Sequence, residues 1–231
     1  MAVVLVSGRP YTVAAAVEQA AAIVAAWLPG EGGGEAIARI LFGLANPSGK
    51  TCLSFPIDVG AMPYAYNHFQ KAGGLPKQTS FGSVFPFGFG LSYTDFAYHD
   101  GFTTKQSVET NGTITIGITV TNTGGRSGDE VVQLYVRDTL SSIVRPAKEL
   151  KGFARVALEA KESKKVVFSL PADVLSFVND GKRIVEPGAF EIMIGSSSCD
   201  TRWSTEVVLT GPKRIMDKTW RCRSTVETFS V

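Results

Sequence analysis

The second half of the chain is constrained most strongly by a strict alternation of apolar and polar residues. From Thr113 to Thr121, isoleucine or valine occupies every even position and threonine most odd ones. Side chains of a β-strand point alternately to its two faces, so this pattern predicts a strand with one buried face. The alternation recurs at 132–136, 166–170 and 190–194. Several such strands within about 110 residues predict an antiparallel β-sandwich.

Turn-forming residues separate these predicted strands. They are Asn122-Thr123-Gly124-Gly125, Asn179-Asp180-Gly181 and Glu186-Pro187-Gly188. The Cys…Trp…Cys pattern of antibody domains is missing, which favours a fibronectin-type sandwich. We expect this domain to span residues 96–211, followed by a basic tail at 212–231.

Residues 1–58 show a different pattern, in which short apolar runs are separated by helical stretches. The predicted elements, in order, are strand Ala2–Val6, helix Val13–Ala21, strand Ala22–Trp27, helix Ala36–Leu44 and strand Leu53–Ile57. Alternating strands and helices predict a parallel sheet. Three strands leave apolar faces and an open edge uncovered. We therefore expect a partial α/β sandwich whose incomplete sheet docks a partner chain or a second copy.

Residues 59–95 are predicted to form a long loop or linker, rich in Gly, Pro and aromatic residues. Tyr64, Tyr66, Asn67 and His68 cluster within it. Aromatic faces with amide and imidazole groups suit a sugar ring, and they also suit ordinary packing within a loop, which is the favoured alternative. Tyr66, Asn67 and His68 are the candidate substrate-binding residues.

Composition argues against several classes of function. Lys plus Arg number 23 and Asp plus Glu 21, so phosphate neutralisation on nucleic acid is not expected. No segment reaches the roughly 18 apolar residues of a membrane span. The three cysteines have no C-x-x-C spacing and there are two histidines, so we expect neither a metal nor another cofactor.

Other motifs with catalytic potential are weak. Residues 43–51 resemble a P-loop, but five residues separate the glycines where the motif needs four. The acidic pairs Glu31/Glu35 and Asp129/Glu130 lack the setting that splits glycosidic bonds. No spacing ties a Ser or Cys to either histidine.

The order of longer motifs resembles the C-terminal part of glycoside hydrolase family 3. The motifs for its α/β sandwich domain are 4–10, 26–31 and 41–50, and 85–94 looks like the family's linker signature. Those similar to its fibronectin III-like domain are 120–124, 128–135, 145–153 and 186–188. The nearest resemblance is to bacterial-type β-glucosidases and β-xylosidases.

This resemblance implies a parent enzyme that hydrolyses β-glucosides or β-xylosides. Family members are longer, with a barrel that supplies the nucleophilic Asp and a general-acid Glu located before the strand that begins here at Ala2. No catalytic residue can therefore be assigned in this sequence, and we expect the chain alone to be an inactive scaffold and substrate-rim piece. Relatives are often periplasmic or secreted; Met1–Val6 does not resemble a signal peptide, which leaves the compartment unassigned.

Two other functions remain open. One is a non-catalytic binding or assembly module that docks a partner or associates with itself. The other is an unrelated hydrolase that uses His68 or His99 with a nearby serine.

Overall fold

The computed structural model describes residues 1–61, 64–69 and 82–231, which divide into two compact units. The first unit contains the described residues of Met1–Tyr66 and Lys71–Tyr93. The second contains those of Asn67–Gln70 and Thr94–Val231. The unit boundary thus passes between Tyr66 and Asn67, two of the candidate substrate-binding residues.

The first unit is a small α/β structure. Its elements are β1 (Ala2–Val6), α1 (Ala14–Gln19), β2 (Ala22–Trp27), α2 (Gly33–Leu41), β3 (Phe55–Pro56) and β4 (Ser83–Phe85). Strands β1 and β2 pair in parallel from Ala2↔Ala22 to Leu5↔Ala25, and the register shifts before Val6↔Trp27. Helix α1 is the crossover that a parallel pair requires. The prediction that Leu53–Ile57 adds a third parallel strand is wrong. Only β3 forms there, and it pairs antiparallel with β4.

Strands β1 and β2 contain no fully buried residue. Helix α1 buries none either, and α2 buries only Gly33. Around them, Leu28 is 76%, Phe42 80% and Leu44 70% exposed. Parallel strands in a complete α/β domain are covered on both faces. The first unit is therefore a partial α/β sandwich. No helix in the described ranges has the length and apolar character that a membrane crossing requires.

The second unit is a β-sandwich. Its strands are β5 (Phe96–Thr103), β6 (Ser107–Glu109), β7 (Thr113–Asn122), β8 (Gly128–Asp138), β9 (Glu149–Leu158), β10 (Ser163–Pro171), β11 (Phe177–Asn179), β12 (Lys182–Val185), β13 (Gly188–Ser197), β14 (Asp200–Thr210), β15 (Arg214–Ile215) and β16 (Thr225–Ser230). One sheet has the order β16-β10-β7-β5 and the other β6-β14-β13-β8-β9. A third, small sheet has the order β11-β12-β15. Strands β8 and β9 of the second sheet flank one connecting loop, residues 139–148, which bears on the candidate site.

The predicted alternation in the sandwich is confirmed. Ile114, Ile116 and Ile118 of β7 are at most 1% exposed, and they belong to one continuous core with Val166 and Phe168 of β10. The facing sheet contributes buried apolar residues at the same two-residue period; these are Val132, Leu134 and Val136 of β8 and Phe190, Ile192 and Ile194 of β13. Each such side chain stabilises the fold by roughly 1.5–3 kcal/mol on burial.

The C-terminal residues 212–231 are integrated into this sandwich. Strand β16 pairs antiparallel with β10 over six residues, and β15 pairs with β12. Arg214 of β15 forms an ion pair with Asp173 and donates two hydrogen bonds to the Thr110 carbonyl oxygen, at 3.2 and 2.8 Å. The Arg221 backbone N–H donates to the second Asp173 oxygen at 2.8 Å. Basic residues of this segment therefore attach it to the sandwich.

We expect removal of residues 212–231 to destabilise the second unit. The six cross-strand pairs of β10 and β16 contribute about 0.2–1 kcal/mol each, so the loss should be roughly 1–6 kcal/mol. Chemical denaturation followed by circular dichroism measures it. Removing Val231 alone, which lies beyond β16, is the control and should leave the unfolding midpoint unchanged. An unchanged midpoint in the longer deletion would show that β16 adds nothing to the sandwich.

Candidate functional site

In the first unit, the linker signature is held against the segment that resembles a P-loop. The Thr51 N–H donates to the Phe89 carbonyl oxygen at 2.8 Å, and the Gly88 N–H donates back to the Thr51 carbonyl oxygen at 2.7 Å. A Cβ on Gly90 would overlap the carbonyl oxygen of Gly49, so only glycine permits this approach. Lys50 Nζ donates to the Gly90 carbonyl oxygen at 2.9 Å, which gives the lysine a structural role.

Asn46 adds a second set of contacts between the linker signature and the segment that precedes Thr51. Its Oδ1 accepts hydrogen bonds from Ser92 Oγ at 2.9 Å and from the Tyr93 N–H at 2.8 Å. The Tyr93 hydroxyl donates to the carbonyl oxygen of Ile40 in α2 at 2.7 Å. These bonds link residues more than 40 positions apart, so they connect the end of the first unit to its helical part.

Tyr66 belongs to an aromatic group in this unit. Its ring stacks on Phe87, with centroids 4.2 Å apart and planes inclined by 18°. Phe85 stacks on Phe89 at 5.1 Å and meets Phe55 edge-on at 6.0 Å. One face of Tyr66 is thus covered by another aromatic ring, as the packing alternative requires.

Asn67 and His68 lie in the second unit. Asn67 is exposed and His68 half-buried, with His68 Nδ1 3.0 Å from the Phe69 carbonyl oxygen. The Ala147 N–H donates to the His68 carbonyl oxygen at 2.9 Å, and Phe69 forms an antiparallel bridge with Pro146. The chain segment that carries these two candidates is therefore attached to the loop between β8 and β9.

A charged cluster adjoins that attachment. Arg145, whose side chain is 8% exposed, lies 3.5 Å from Asp138 Oδ2 and 2.8 Å from Glu149 Oε2. Its guanidinium carbon lies 4.7 Å from the centroid of the Phe177 ring. Lys151 Nζ lies 3.1 Å from the other Glu149 oxygen. Asp138 Oδ2 is buried and accepts no hydrogen bond within the described part of the chain.

The pKa values of the two carboxylates in this cluster, Asp138 and Glu149, are shifted in opposite directions. Burial raises the pKa of Asp138, the charge of Arg145 opposes that rise, and the charge of Glu186 adds to it. Burial also acts to raise the pKa of Glu149. There, the charge of Lys151 and the hydrogen bonds from Arg145 and Lys151 outweigh burial, so the pKa of Glu149 lies below its usual range.

His99, the second histidine, lies in a chain of polar side chains across one sheet. Its Nδ1 is 2.7 Å from Asp100 Oδ2 and its Nε2 is 2.8 Å from Thr121 Oγ1. Thr121 Oγ1 is in turn 2.7 Å from Ser163 Oγ. Carboxylate, imidazole and hydroxyl follow one another in the order of an acyl-transfer triad.

The surroundings of this chain do not favour acyl transfer. A tetrahedral intermediate needs N–H donors directed at its oxyanion. Strand β7 is paired on both sides at Thr121, and the next two amides donate to the carbonyl oxygens of Glu162 and Asp95. The polar chain therefore connects three strands, β5, β7 and β10.

Among the residues that the structure describes, none group into three or more potential metal ligands from His, Cys, Asp and Glu. The acidic pairs considered from the sequence have other contacts. Glu35 lies 3.6 Å from Arg39 on α2, and Asp129 lies 3.5 Å from Arg155 across β8 and β9.

Each of the two units matches the model of a known protein domain family. Residues 1–93 match the model of the glycosyl hydrolase family 3 C-terminal domain, and residues 130–198 match that of the fibronectin type III-like domain. The chain corresponds to the C-terminal portion of a glycosyl hydrolase family 3 protein. The family 3 domain model thus covers the first unit, and the fibronectin type III-like model lies within the second.

Relatives and solved structures extend this assignment. A β-xylosidase of Formosa agariphila is 44% identical over 201 residues, covering 85% of this chain and 28% of the relative. A periplasmic β-glucosidase of Salmonella typhimurium is 40% identical, covering 86% and 28%. The β-glucosidase of Listeria innocua in complex with isofagomine superposes with a TM-score of 0.86 at 32% identity, covering 91% of this chain and 31% of that one. The chain spans less than a third of the length of these relatives.

Sequence reasoning did not single out the charged cluster around Arg145. Arg145 and Glu149 are part of the stretch 145–153 that carries the family resemblance, so the sequence did mark this stretch as a motif. Asp138 lies at the end of β8, and only the tertiary structure shows that it meets Arg145 across the loop.

The opposite pKa shifts predict opposite dependences of stability on pH. Because the folded-state pKa of Asp138 is raised, its stabilising contribution is complete below the unfolded pKa and is lost as pH rises from about pH 4 through the folded value. The difference in unfolding free energy between the wild type and Asp138→Asn should therefore decrease with pH, measured by denaturant titrations at several pH values.

Glu149→Gln is the matched control for Asp138→Asn. The folded-state pKa of Glu149 is lowered, so its contribution is present above the unfolded pKa and is lost as pH falls through the folded value. The corresponding difference for this variant should rise with pH. Slopes of the same sign in the two variants would contradict the assignment.

Proposed function

We propose that this chain is the scaffold and substrate-rim portion of a β-glycosidase that acts on β-glucosides or β-xylosides. The observation that carries the proposal is the similarity to a β-xylosidase and a β-glucosidase over both units, at 44% and 40% identity. Because the chain spans 28% of each relative, the role proposed for it is that of one part within a longer catalytic assembly.

The exposed surface of the first unit supports the scaffold role. Strands β1 and β2 leave their apolar residues at most partly buried, and Leu28 and Phe42 are largely exposed. Apolar surface of this kind in a parallel sheet calls for covering elements. We propose that the remainder of a family 3 α/β domain covers it.

The rim role rests on Asn67 and His68, two of the candidate residues identified from the sequence, and on their neighbour Phe69. Asn67 and Phe69 are exposed, and His68 between them is half-buried. An amide, an imidazole and an aromatic ring together offer hydrogen bonds and a stacking face to a sugar. We propose that this segment contacts the sugar beyond the bond that is cleaved.

A chimera tests the proposal directly. The chain replaces the matching C-terminal portion of the Salmonella typhimurium β-glucosidase and is assayed with 4-nitrophenyl β-glucoside and β-xyloside. We expect the chimera to hydrolyse at least one of them, and the chain alone to give no turnover above a buffer blank. A soluble, monodisperse chimera without activity, or activity of the purified chain alone, would overturn the proposal.

His68→Ala in the chimera tests the rim role. Loss of one polar contact of about 1 kcal/mol should raise KM by about fivefold and leave kcat within about twofold, because a rim contact binds substrate and transition state equally. His99→Ala, on the edge strand β5, is the matched control and should change neither constant. An unchanged KM in His68→Ala would remove His68 from the rim.

Self-association is the second candidate, favoured by the same exposed apolar residues. Without its covering elements, the chain should form dimers or larger species and bind an apolar dye. Light scattering measures the first property and fluorescence the second. Phe42→Asp combined with Leu44→Asp should shift the chain toward the monomer. A wild-type chain that is monomeric and binds no dye would contradict an uncovered apolar face.

A further inference from the structure

The segment Asn67–Phe69 depends on a short stretch of loop for its position in the second unit. The Ala147 N–H donates to the His68 carbonyl oxygen, and Pro146 bridges Phe69. Both contacts are made by backbone atoms. The direction in which residues 146 and 147 present their backbone therefore determines where His68 lies.

The residues on each side of this contact are anchored by their side chains. On one side, the Arg145 guanidinium lies within 3.5 Å of Asp138 and Glu149 and donates to the Leu175 carbonyl oxygen at 3.4 Å. On the other side, Lys148 Nζ donates to the Ser198 carbonyl oxygen at 2.8 Å. The two backbone contacts to the candidate segment thus lie between two fixed side chains.

Arginine is the residue type that this anchor requires. Its planar guanidinium can form ion pairs with two carboxylates and donate to a carbonyl oxygen at once while stacking on the Phe177 ring, 4.7 Å from the ring centroid. Lysine has one compact charged group and cannot occupy all of these positions together. Pro146 then restricts the backbone of Arg145 to extended conformations, so that the anchored side chain sets the direction of the chain at Ala147.

We propose that Arg145 is a positioning residue that holds the segment Asn67–Phe69 in place through Pro146 and Ala147. The effect on sugar binding rests on the rim role proposed above, whereas the mechanical link from Arg145 to His68 does not. The charged cluster at the end of β8 thereby acts on the candidate substrate-binding residues without touching a substrate.

Amide hydrogen exchange of the full 231-residue chain tests the link. In Arg145→Met, we expect the Ala147 amide to exchange at least about tenfold faster, because its hydrogen bond to His68 opens more often. The amide of Ile118 in the sandwich core should keep its wild-type rate. Arg145→Lys should give an intermediate rate at Ala147, and the imidazole signals of His68 should shift in the same order across the variants.

Arg155→Met provides the matched control. Arg155 lies on the neighbouring strand β9, has a half-exposed side chain and pairs with Asp129 at 3.5 Å, so it should leave the Ala147 rate unchanged. The triple variant Asp138→Asn/Arg145→Met/Glu149→Gln removes the guanidinium without leaving unpaired buried carboxylates. It should show the same acceleration at Ala147, and it serves as the test protein if Arg145→Met does not fold.

The outcomes separate the two proposals. An unchanged Ala147 rate in a folded variant, or an equal acceleration at Ile118, would overturn the positioning role of Arg145. A faster Ala147 exchange in the chain, together with a raised KM for Arg145→Met in the chimera, supports both proposals. A faster exchange with an unchanged KM supports the positioning role and removes the segment from the substrate rim.

Discussion

Burial of apolar side chains between two sheets is the interaction on which the second unit depends. Strand β7 places Ile114, Ile116 and Ile118 on the inner face, where β8 and β13 supply residues at the same two-residue period. One whole face of each sheet is apolar and buried in the core. A one-residue slip of any strand would therefore move its apolar side chains to the solvent face. The register of this core therefore fixes the ends of β8 and β9, and with them the loop that carries Arg145.

The first unit lacks a comparable interaction. Its two parallel strands and two helices bury only one residue completely, Gly33 of α2. Outside these elements, Val13, Phe55 and Ala61 are buried, and hydrogen bonds such as those of Asn46 and aromatic pairs such as Tyr66 and Phe87 add further contacts. These hold the linker signature in place, yet they leave the sheet uncovered. The second unit buries its apolar faces between its own sheets, whereas the first unit leaves apolar surface exposed. A covering partner is therefore proposed only for the first unit.

The charged cluster around Arg145 is attached to the sandwich but contributes no side chain to its apolar core. A guanidinium between two buried or half-buried carboxylates adds little net stability, because desolvation offsets most of the attraction. What the pairing supplies is geometry: one planar group bonds several elements at fixed angles. In this structure those elements are the end of β8, the start of β9 and the segment before β11, and the loop they surround contacts the His68 segment.

Alternation at period two in several segments was enough to predict the sandwich and its inner faces, and the missing Cys…Trp…Cys pattern favoured the fibronectin type. The motif order was enough to indicate the family. The sequence was less informative about Leu53–Ile57, because a short apolar run carries no information on its pairing partner, and β4 lies almost thirty residues away. Nor did the basic composition of 212–231 indicate β16, whose side chains are all exposed and so show no buried period. The contact between Arg145 and Asp138, and the attachment of His68 to Ala147, join residues that only folding brings together, and the tertiary structure alone decided them.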